Sequence, residues 1–332
     1  MKYNYVVFSW IIPKSSYKIE DDYYSICLRD LENKEGIIVN HVPMYGKPKL
    51  WKFLYRIHNS VKLNSVINLP FKSIWYPFVF ENSFKDDKPI CFVCIRYPSV
   101  DYLKYLRKNY PDCKIVVMCR DLLRIHIKEF QEYDEAKIYD YWMSFDENES
   151  KKYGFPHFDE FESKIEIPVE DNYPIADVFF AGRAKDRHKK LIDLYDKFEQ
   201  NGVNCLFLLL DTPKEEQVKR KGIKYISKPI SYAEMLKYTV NSKCVLEINQ
   251  ADAVGYTSRY LESVMFNKKL ITDNVYLKNT KYYNPDYIHI FKTETDIDIS
   301  FIKKDDIVVD YKYENDFSPI NRIEQIDQML SL

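Results

Sequence analysis

Val178-Phe-Phe-Ala-Gly-Arg-Ala-Lys-Asp-Arg-His188 and Ala253-Val-Gly-Tyr-Thr-Ser-Arg-Tyr-Leu-Glu262 are the two stretches whose reading decides the fold. The first reads as a buried apolar strand that stops at Gly182 and releases Arg183, Lys185 and Arg187 where a helix begins. The second reads as a loop carrying Gly255 that turns into a helix at Thr257 or Ser258. Each places free backbone N–H groups and cationic side chains at a helix N-terminus, where anions bind. Two such devices in one α/β half point to a diphosphate site.

Around these stretches the second half of the chain alternates strands and helices. A helix is predicted from Asp186 to Gln200 with Leu191, Leu194, Tyr195 and Phe198 on one stripe, closed by Asn201-Gly202 as a left-handed cap. Cys205 to Leu210 is a continuous apolar strand, and Lys224 to Ser227 another. Ser231-Tyr-Ala-Glu234 is a capping box that opens a helix through Val240. Strand Lys243–Ile248, the Gly255 loop, a helix to Phe266, strands Leu270–Thr272 and Tyr287–Phe291, and a terminal helix Asn321–Leu330 complete the pattern.

The first half has the same rhythm. Strands are expected at Tyr5–Ile12, Gly36–Asn40, Ile90–Ile95, Lys114–Cys119 and Tyr139–Phe145, with helices at Leu50–Val61 and Val100–Tyr110. Strand, helix, strand is the unit of a parallel sheet with crossover helices. Residues 155 to 174 lose periodicity and carry three prolines, which marks them as the domain linker.

Composition bounds the function. Formal net charge is −1, with 49 Lys and Arg against 50 Asp and Glu. A chain devoted to neutralising nucleic-acid phosphates carries a basic excess, so nucleic acid is not expected as a partner. Only 7 glycines occur in 332 residues, so each one marks a needed backbone conformation or a close approach. The 7 cysteines fall mostly in apolar runs and read as buried free thiols. Cys91 and Cys94 have a C-x-x-C spacing, but on a strand they point to opposite faces. No signal peptide and no run of about 18 apolar residues is present. The expected location is cytoplasmic, with peripheral contact at the inner face of the plasma membrane left open. That contact would use the basic and aromatic face of residues 47–57, although a helix packed on its own sheet with a solvated basic edge is the preferred reading.

Plain structural readings stand beside the functional ones. Cations at a helix start oppose the macrodipole, so the basic turn after Gly182 needs an anion or full solvation. Thr257 or Ser258 caps a helix whether or not a ligand is present. Arg259 and Glu262, three residues apart, can form an exposed ion pair. Alternatively, a free carboxylate one turn inside a phosphate-binding helix accepts the two hydroxyls of a ribose, which is the reading preferred here.

The run from Phe179-Phe-Ala-Gly-Arg183 through Tyr256-Thr-Ser-Arg-Tyr-Leu-Glu262 to Lys268-Lys-Leu-Ile-Thr-Asp-Asn274 resembles the nucleotide-sugar half of GT-B glycosyltransferases. It is similar in particular to those of bacterial capsule, exopolysaccharide and lipopolysaccharide clusters. The resemblance implies an α/β fold of two Rossmann-like doubly wound domains facing a cleft. Residues 1–165 would form the acceptor-side domain, 175–310 the donor domain, and 311–332 a tail helix. Gly182, Arg183 and Lys185 would lie at the donor diphosphate. Gly255, Tyr256, Thr257 and Ser258 would bind the phosphates with Arg259 as an added ligand, and Glu262 would hold the ribose. The glutamate pair of many relatives would need an acid at position 254, which is Val254; the nearest acid is Asp252.

The implied activity moves a sugar from a nucleotide-sugar donor to a glycan or lipid-linked acceptor in cell-surface polysaccharide synthesis, with no cofactor and no metal. The only tidy D-x-D, Asp296 to Asp298, is expected to face solvent. A GT-B-shaped nucleotide-sugar epimerase and a non-catalytic partner of a polysaccharide assembly complex are the alternatives. An inverting transferase needs a general base. The candidates near strand ends of the first half are His41, Asp121 and Asp146, of which the two aspartates also suit helix caps.

Overall fold

The computed structural model describes the chain except residues 12–15, 45, 65, 68, 171–172, 250–253, 305 and 332. Two compact units emerge. One comprises Met1–Ile12, Leu28–Phe158 and Pro319–Leu332, and the other Pro13–Cys27 and Asp159–Ser318.

The first unit is built on five strands: β1 (Asn4–Phe8), β2 (Ile37–Asn40), β3 (Ile90–Cys94), β4 (Lys114–Cys119) and β5 (Tyr141–Ser144). They lie in the order β2-β1-β3-β4-β5, every neighbouring pair parallel. β1 and β3 are buried at every residue, because crossover helices cover both faces of such a sheet. The expected first strand ends sooner, at Phe8, and Ile12 lies outside the described residues. The terminal helix, Pro319–Met329, belongs to this unit: Asp327 Oδ1 accepts from Lys2 N at 2.8 Å and from the Tyr5 hydroxyl at 2.7 Å.

The second unit carries β6 (Ala176–Arg183), β7 (Cys205–Leu210), β8 (Ile223–Ile226), β9 (Ser242–Glu247), β10 (Lys269–Thr272) and β11 (Ile288–Ile290). Their order is β11-β10-β9-β6-β7-β8, again all parallel. This is the doubly wound order, in which the winding reverses between β6 and β9. The helix after β6, His188–Gln200, buries Leu191, Leu194, Tyr195 and Phe198, the stripe read from its periodicity. Gly202 follows it with φ +70°, the left-handed conformation expected of that cap. At Ser231 only half of the capping box forms. Ser231 Oγ accepts from Glu234 N at 3.1 Å, whereas the Glu234 carboxylate accepts from the Tyr173 hydroxyl at 2.6 Å.

The stretch read as a linker has no regular structure, but much of it is not solvated. In the second unit Phe161, Glu162 and Ser163 are buried. The Ser163 backbone and side chain both donate to the Cys27 carbonyl at 3.0 Å, which ties the early segment to this unit. All seven cysteines are buried free thiols.

Candidate functional site

In a doubly wound sheet, ligands collect beyond the carboxyl ends of the strands where the winding reverses. In the second unit a cavity of about 420 Å³ lies there. It is lined by Gly182 from the end of β6, Glu247 and Ile248 from the end of β9, Arg187, Tyr232, and Thr257 to Arg259.

The helix Ser258–Met265 points its N-terminus into this cavity. Thr257 is its cap, with Oγ1 accepting from Arg259 N at 3.1 Å. The N–H groups of the first turn stand outside the intrahelical ladder and are available to an anion. Ser258 Oγ lies 3.2 Å from the Tyr23 hydroxyl. The Tyr23 ring packs edge-on against Tyr232 at 4.8 Å.

Beneath the cap lies a buried polar cluster. Glu247 ends β9 and Thr272, its register partner, ends β10. Thr257 Oγ1 and Thr272 Oγ1 both donate to the Glu247 carboxylate. Thr272 Oγ1 accepts from Asn274 N at 2.9 Å, and Asn274 Nδ2 donates to the Gly255 carbonyl at 3.2 Å. Asp273 holds the strand exits from the other side, accepting from Asn249 N at 2.8 Å and pairing with Lys190 at 2.9 Å. Burial pushes the Glu247 carboxyl up to about 7, although the two hydroxyl bonds and Arg259 oppose the rise.

Two guanidinium groups face the cavity. Arg259 Nη1 pairs with Glu262 at 2.5 Å and its Nη2 donates to the Ala181 carbonyl at 2.9 Å. Arg187 donates to three backbone carbonyls, those of Ala184 (3.4 Å), Arg183 (2.7 Å) and Ile248. Among the described residues Arg187 has no carboxylate within ion-pair distance. Burial lowers its pKa from the ordinary value, the charges of Asp186 and Asp273 oppose the shift, and that of Arg259 adds to it. A desolvated cation held only by carbonyls beside a second cation is an arrangement that an anion completes.

The expected site residues separate on inspection. Gly182, Thr257, Ser258 and Arg259 line the cavity together. Arg183 does not: it is 58% exposed and pairs with Asp211 at 2.9 Å, beyond the end of neighbouring β7. Lys185 is exposed, in left-handed backbone with φ +48°. Gly255 is buried and supplies the carbonyl that Asn274 holds, while Tyr256 packs on Tyr260 at 5.3 Å. Neither Gly255 nor Tyr256 lines the cavity.

Glu262 differs most from its expected place. It is 0% exposed, so its carboxylate is closed to a ribose and its pair with Arg259 is not the exposed one weighed above. The Tyr232 hydroxyl contacts Glu262 at 2.9 Å and also Glu162. Burial pushes Glu262 above the usual carboxylate range, with Arg259 opposing, and its Oε2 has no hydrogen-bond partner among the described residues. Glu262 therefore positions Arg259 from behind the cavity wall.

In the first unit the three candidate bases lie at strand ends, as expected. Asp146 caps the helix Glu147–Tyr153, accepting from Glu149 N at 3.0 Å, and is buried. Both ring nitrogens of His41 are engaged, Nδ1 with Ser9 Oγ at 2.8 Å and Nε2 with Glu32 at 3.3 Å. Asp121 uses Oδ1 for Leu122 N at 2.9 Å, and its Oδ2 has no hydrogen bond among the described residues. Asp252 lies outside the described residues. Asp296 and Asp298 are exposed and bond backbone N–H groups of their own loop and helix start. Among the described residues no group of three metal-ligating side chains could hold a metal ion. No helix among them is long and apolar enough to cross a membrane.

Glu247, Thr272, Asp273 and Tyr232 are the site residues that sequence reasoning missed, while Arg187 was named at the helix start but ranked below Arg183. The signal for the pair at 272–273 lay in Lys268-Lys-Leu-Ile-Thr-Asp-Asn274, where a strand ends in three consecutive polar residues.

No protein-family model matches the sequence, and no curated protein matches it. Several solved structures do match in shape. An alpha-glucosyltransferase in complex with UDP-glucose and DNA containing an abasic site is 13% identical, covering 98% of each chain with a TM-score of 0.53. HepE from Anabaena in complex with UDP and glucose is 9% identical, covering 99% of this chain and 100% of that one, with a TM-score of 0.55. Trehalose-6-phosphate synthase OtsA is 11% identical, covering 98% of each chain with a TM-score of 0.53. What these similarities establish is the fold: two Rossmann-like α/β domains of the GT-B type.

Proposed function

We propose that this protein is a glycosyltransferase that takes its sugar from a nucleoside-diphosphate donor, with the diphosphate bound in the cavity between β6 and β9. The observation that carries this reading is the pair Arg187 and Arg259 lining one cavity, with Arg259 ion-paired to Glu262 behind the wall and Arg187 bonded to backbone carbonyls. The two guanidinium groups sit beside the N-terminus of the Ser258 helix, so a dianionic bridge meets guanidinium forks and backbone N–H groups together. The named ligands of the solved relatives, UDP-glucose in one and UDP with glucose in another, suit the same chemistry.

In this reading Gly182 lets the donor approach the β6 backbone, and Thr257 and Ser258 present the helix amides. Glu247 and Asn274 hold the loop, and Glu262 aims Arg259. Asp121 is the proposed base that deprotonates the acceptor hydroxyl, because its Oδ2 has no hydrogen bond among the described residues. The acceptor is assigned as a glycan or lipid-linked glycan of cell-surface polysaccharide assembly, on the resemblance of the Phe179–Asn274 run.

A thermal-shift screen of the full chain against UDP-, GDP-, CDP- and TDP-sugars tests this. A raised melting temperature with at least one of them, abolished by Arg187→Ala, is the expected result. No shift with any, on a protein that melts cooperatively, would count against it.

A further inference from the structure

The helix Lys49–His58 of the first unit reaches the core only through half-buried Tyr55, and none of its residues is fully buried. Leu50, Phe53, Leu54 and Ile57 recur at the spacing of one helical stripe, and each is between 43% and 64% exposed. The helix is seated by another side. Trp51, Tyr55 and His58 pack on Trp75 with ring centroids 6.0 to 6.3 Å apart, and Trp75 Nε1 donates to His58 Nδ1 at 2.9 Å. His58 Nε2, which then carries the ring proton, donates to the Pro70 carbonyl at 2.7 Å. That bond ties down a following segment in which Val66, Ile67, Phe71 and Ile74 are all more than half exposed.

Phe71 is the clearest sign that this face is built for something. Its φ is +62°, a left-handed conformation that disfavours a bulky side chain, and its ring is 76% exposed. In water, that residue helps neither the backbone nor a core.

Charge says what covers the face. Residues 36–80 contain no Asp or Glu but hold Lys49, Lys52, Arg56, Lys62 and Lys72 besides Lys47, which pairs with Glu81 at 3.0 Å, in a chain with 49 basic and 50 acidic residues overall. A second copy of the same face would meet like charge. A nucleic acid would take the cations and leave the aliphatic stripe wet. An anionic lipid surface takes both, with the stripe at the acyl boundary, the cations at the headgroups and the exposed Trp51 between.

We propose that this face of the first unit docks on a membrane surface rich in anionic lipid, lying on it without crossing it. The proposal stands independently of the donor-site reading.

Flotation of the full chain with phosphatidylglycerol–phosphatidylcholine vesicles, against pure phosphatidylcholine, tests it. Binding to the mixed vesicles alone, weakening with salt, is the expected result. Phe53→Ser with Ile57→Ser should weaken it at least about tenfold at an unchanged melting temperature, since these side chains support no core. Lys49→Gln and Arg56→Gln should each cost about fivefold. Phe71→Gly should weaken binding while holding or raising the melting temperature, because glycine relieves the backbone. Equal flotation on neutral vesicles, wild-type flotation of the Phe53→Ser/Ile57→Ser variant, or no flotation but salt-sensitive retention of a DNA duplex would overturn the proposal. So would no flotation together with dimerisation that Phe53→Ser abolishes.

Discussion

Arg187 and Arg259 grip carbonyl oxygens two residues apart on the last turn of β6: Arg187 Nη2 holds that of Arg183 at 2.7 Å, and Arg259 Nη2 that of Ala181 at 2.9 Å. Gly182 lies between the two anchored carbonyls and faces the cavity. The pair is asymmetric. Arg259 is ion-paired to Glu262, whereas Arg187 is hydrogen-bonded to backbone carbonyls and has Asp186 and Asp273 only as more distant counter-charges. The fold thus gathers two guanidinium groups where the winding of the sheet reverses, and every expectation about the donor site follows from it.

Glu262 is expected to matter for stability first. Removing one partner of a buried ion pair strands the other charge. Arg259 keeps 21% of its side chain exposed, so the loss for Glu262→Ala lies near the low end for such pairs, about 3 kcal/mol. Glu262→Gln should cost less, because it can still bond Tyr232. Urea unfolding of the three proteins measures both; an alanine variant as stable as wild type would mean that the pair contributes nothing.

Glu247 should make stability depend on pH near neutrality. Its folded pKa of about 7 is above the ordinary 4.5, so between those values the folded state holds a proton that the unfolded chain has released. Its contribution is therefore fully present below about pH 4.5 and lost as pH rises through about 7, on the order of 3 kcal/mol in all. Glu247→Gln keeps partners for Thr257 and Thr272 but cannot ionise. The difference in unfolding free energy between wild type and this variant should change across pH 4.5 to 7 and level off above it. A flat difference would show that Glu247 titrates normally.

Asp121→Asn should leave donor binding intact and lower turnover by about 10² to 10⁴-fold, the range for a lost general base. Steady-state turnover and donor affinity, measured side by side, separate the two effects. Unchanged turnover would remove Asp121 from the mechanism.

Gly222 tests the packing of β8. A Cβ there would lie 2.0 Å from the Cys205 carbonyl oxygen, and Gly222 N already donates to the Tyr195 hydroxyl at 2.9 Å. Gly222→Ala should destabilise the protein by about 3 kcal/mol, with no change in the residues of the cavity. A melting temperature within a degree or two of wild type would contradict the close approach.

Periodicity made the sheets legible in the sequence, because strands such as Ile115–Cys119 and Cys205–Leu209 are buried on both faces and read as unbroken apolar runs. The cap at Thr257 was legible for a similar reason, since a hydroxyl before a helix has one dominant use. The choice between Arg183 and Arg187 was not. It depends on Asp211 beyond β7, which draws Arg183 aside, and on the Ile248 carbonyl beyond β9, which receives Arg187. Both partners come from strands distant in sequence, so no local pattern encodes them. The burial of Glu262 depends likewise on Tyr232, 30 residues earlier on another helix. The exposure of the Leu50, Phe53, Leu54 and Ile57 stripe was not legible, because periodicity reports an apolar stripe and not what covers it, whereas the packing of Tyr55 on the core agrees with the preferred reading.

Isothermal titration of a nucleoside diphosphate into wild type, Arg183→Ala and Arg187→Ala tests the central claim most directly. The account expects Arg187→Ala to weaken binding by about 10- to 100-fold, the worth of hydrogen bonds to a charged group, and Arg183→Ala to bind nearly as wild type. Equal affinity of wild type and Arg187→Ala, or a loss confined to Arg183→Ala, would contradict it.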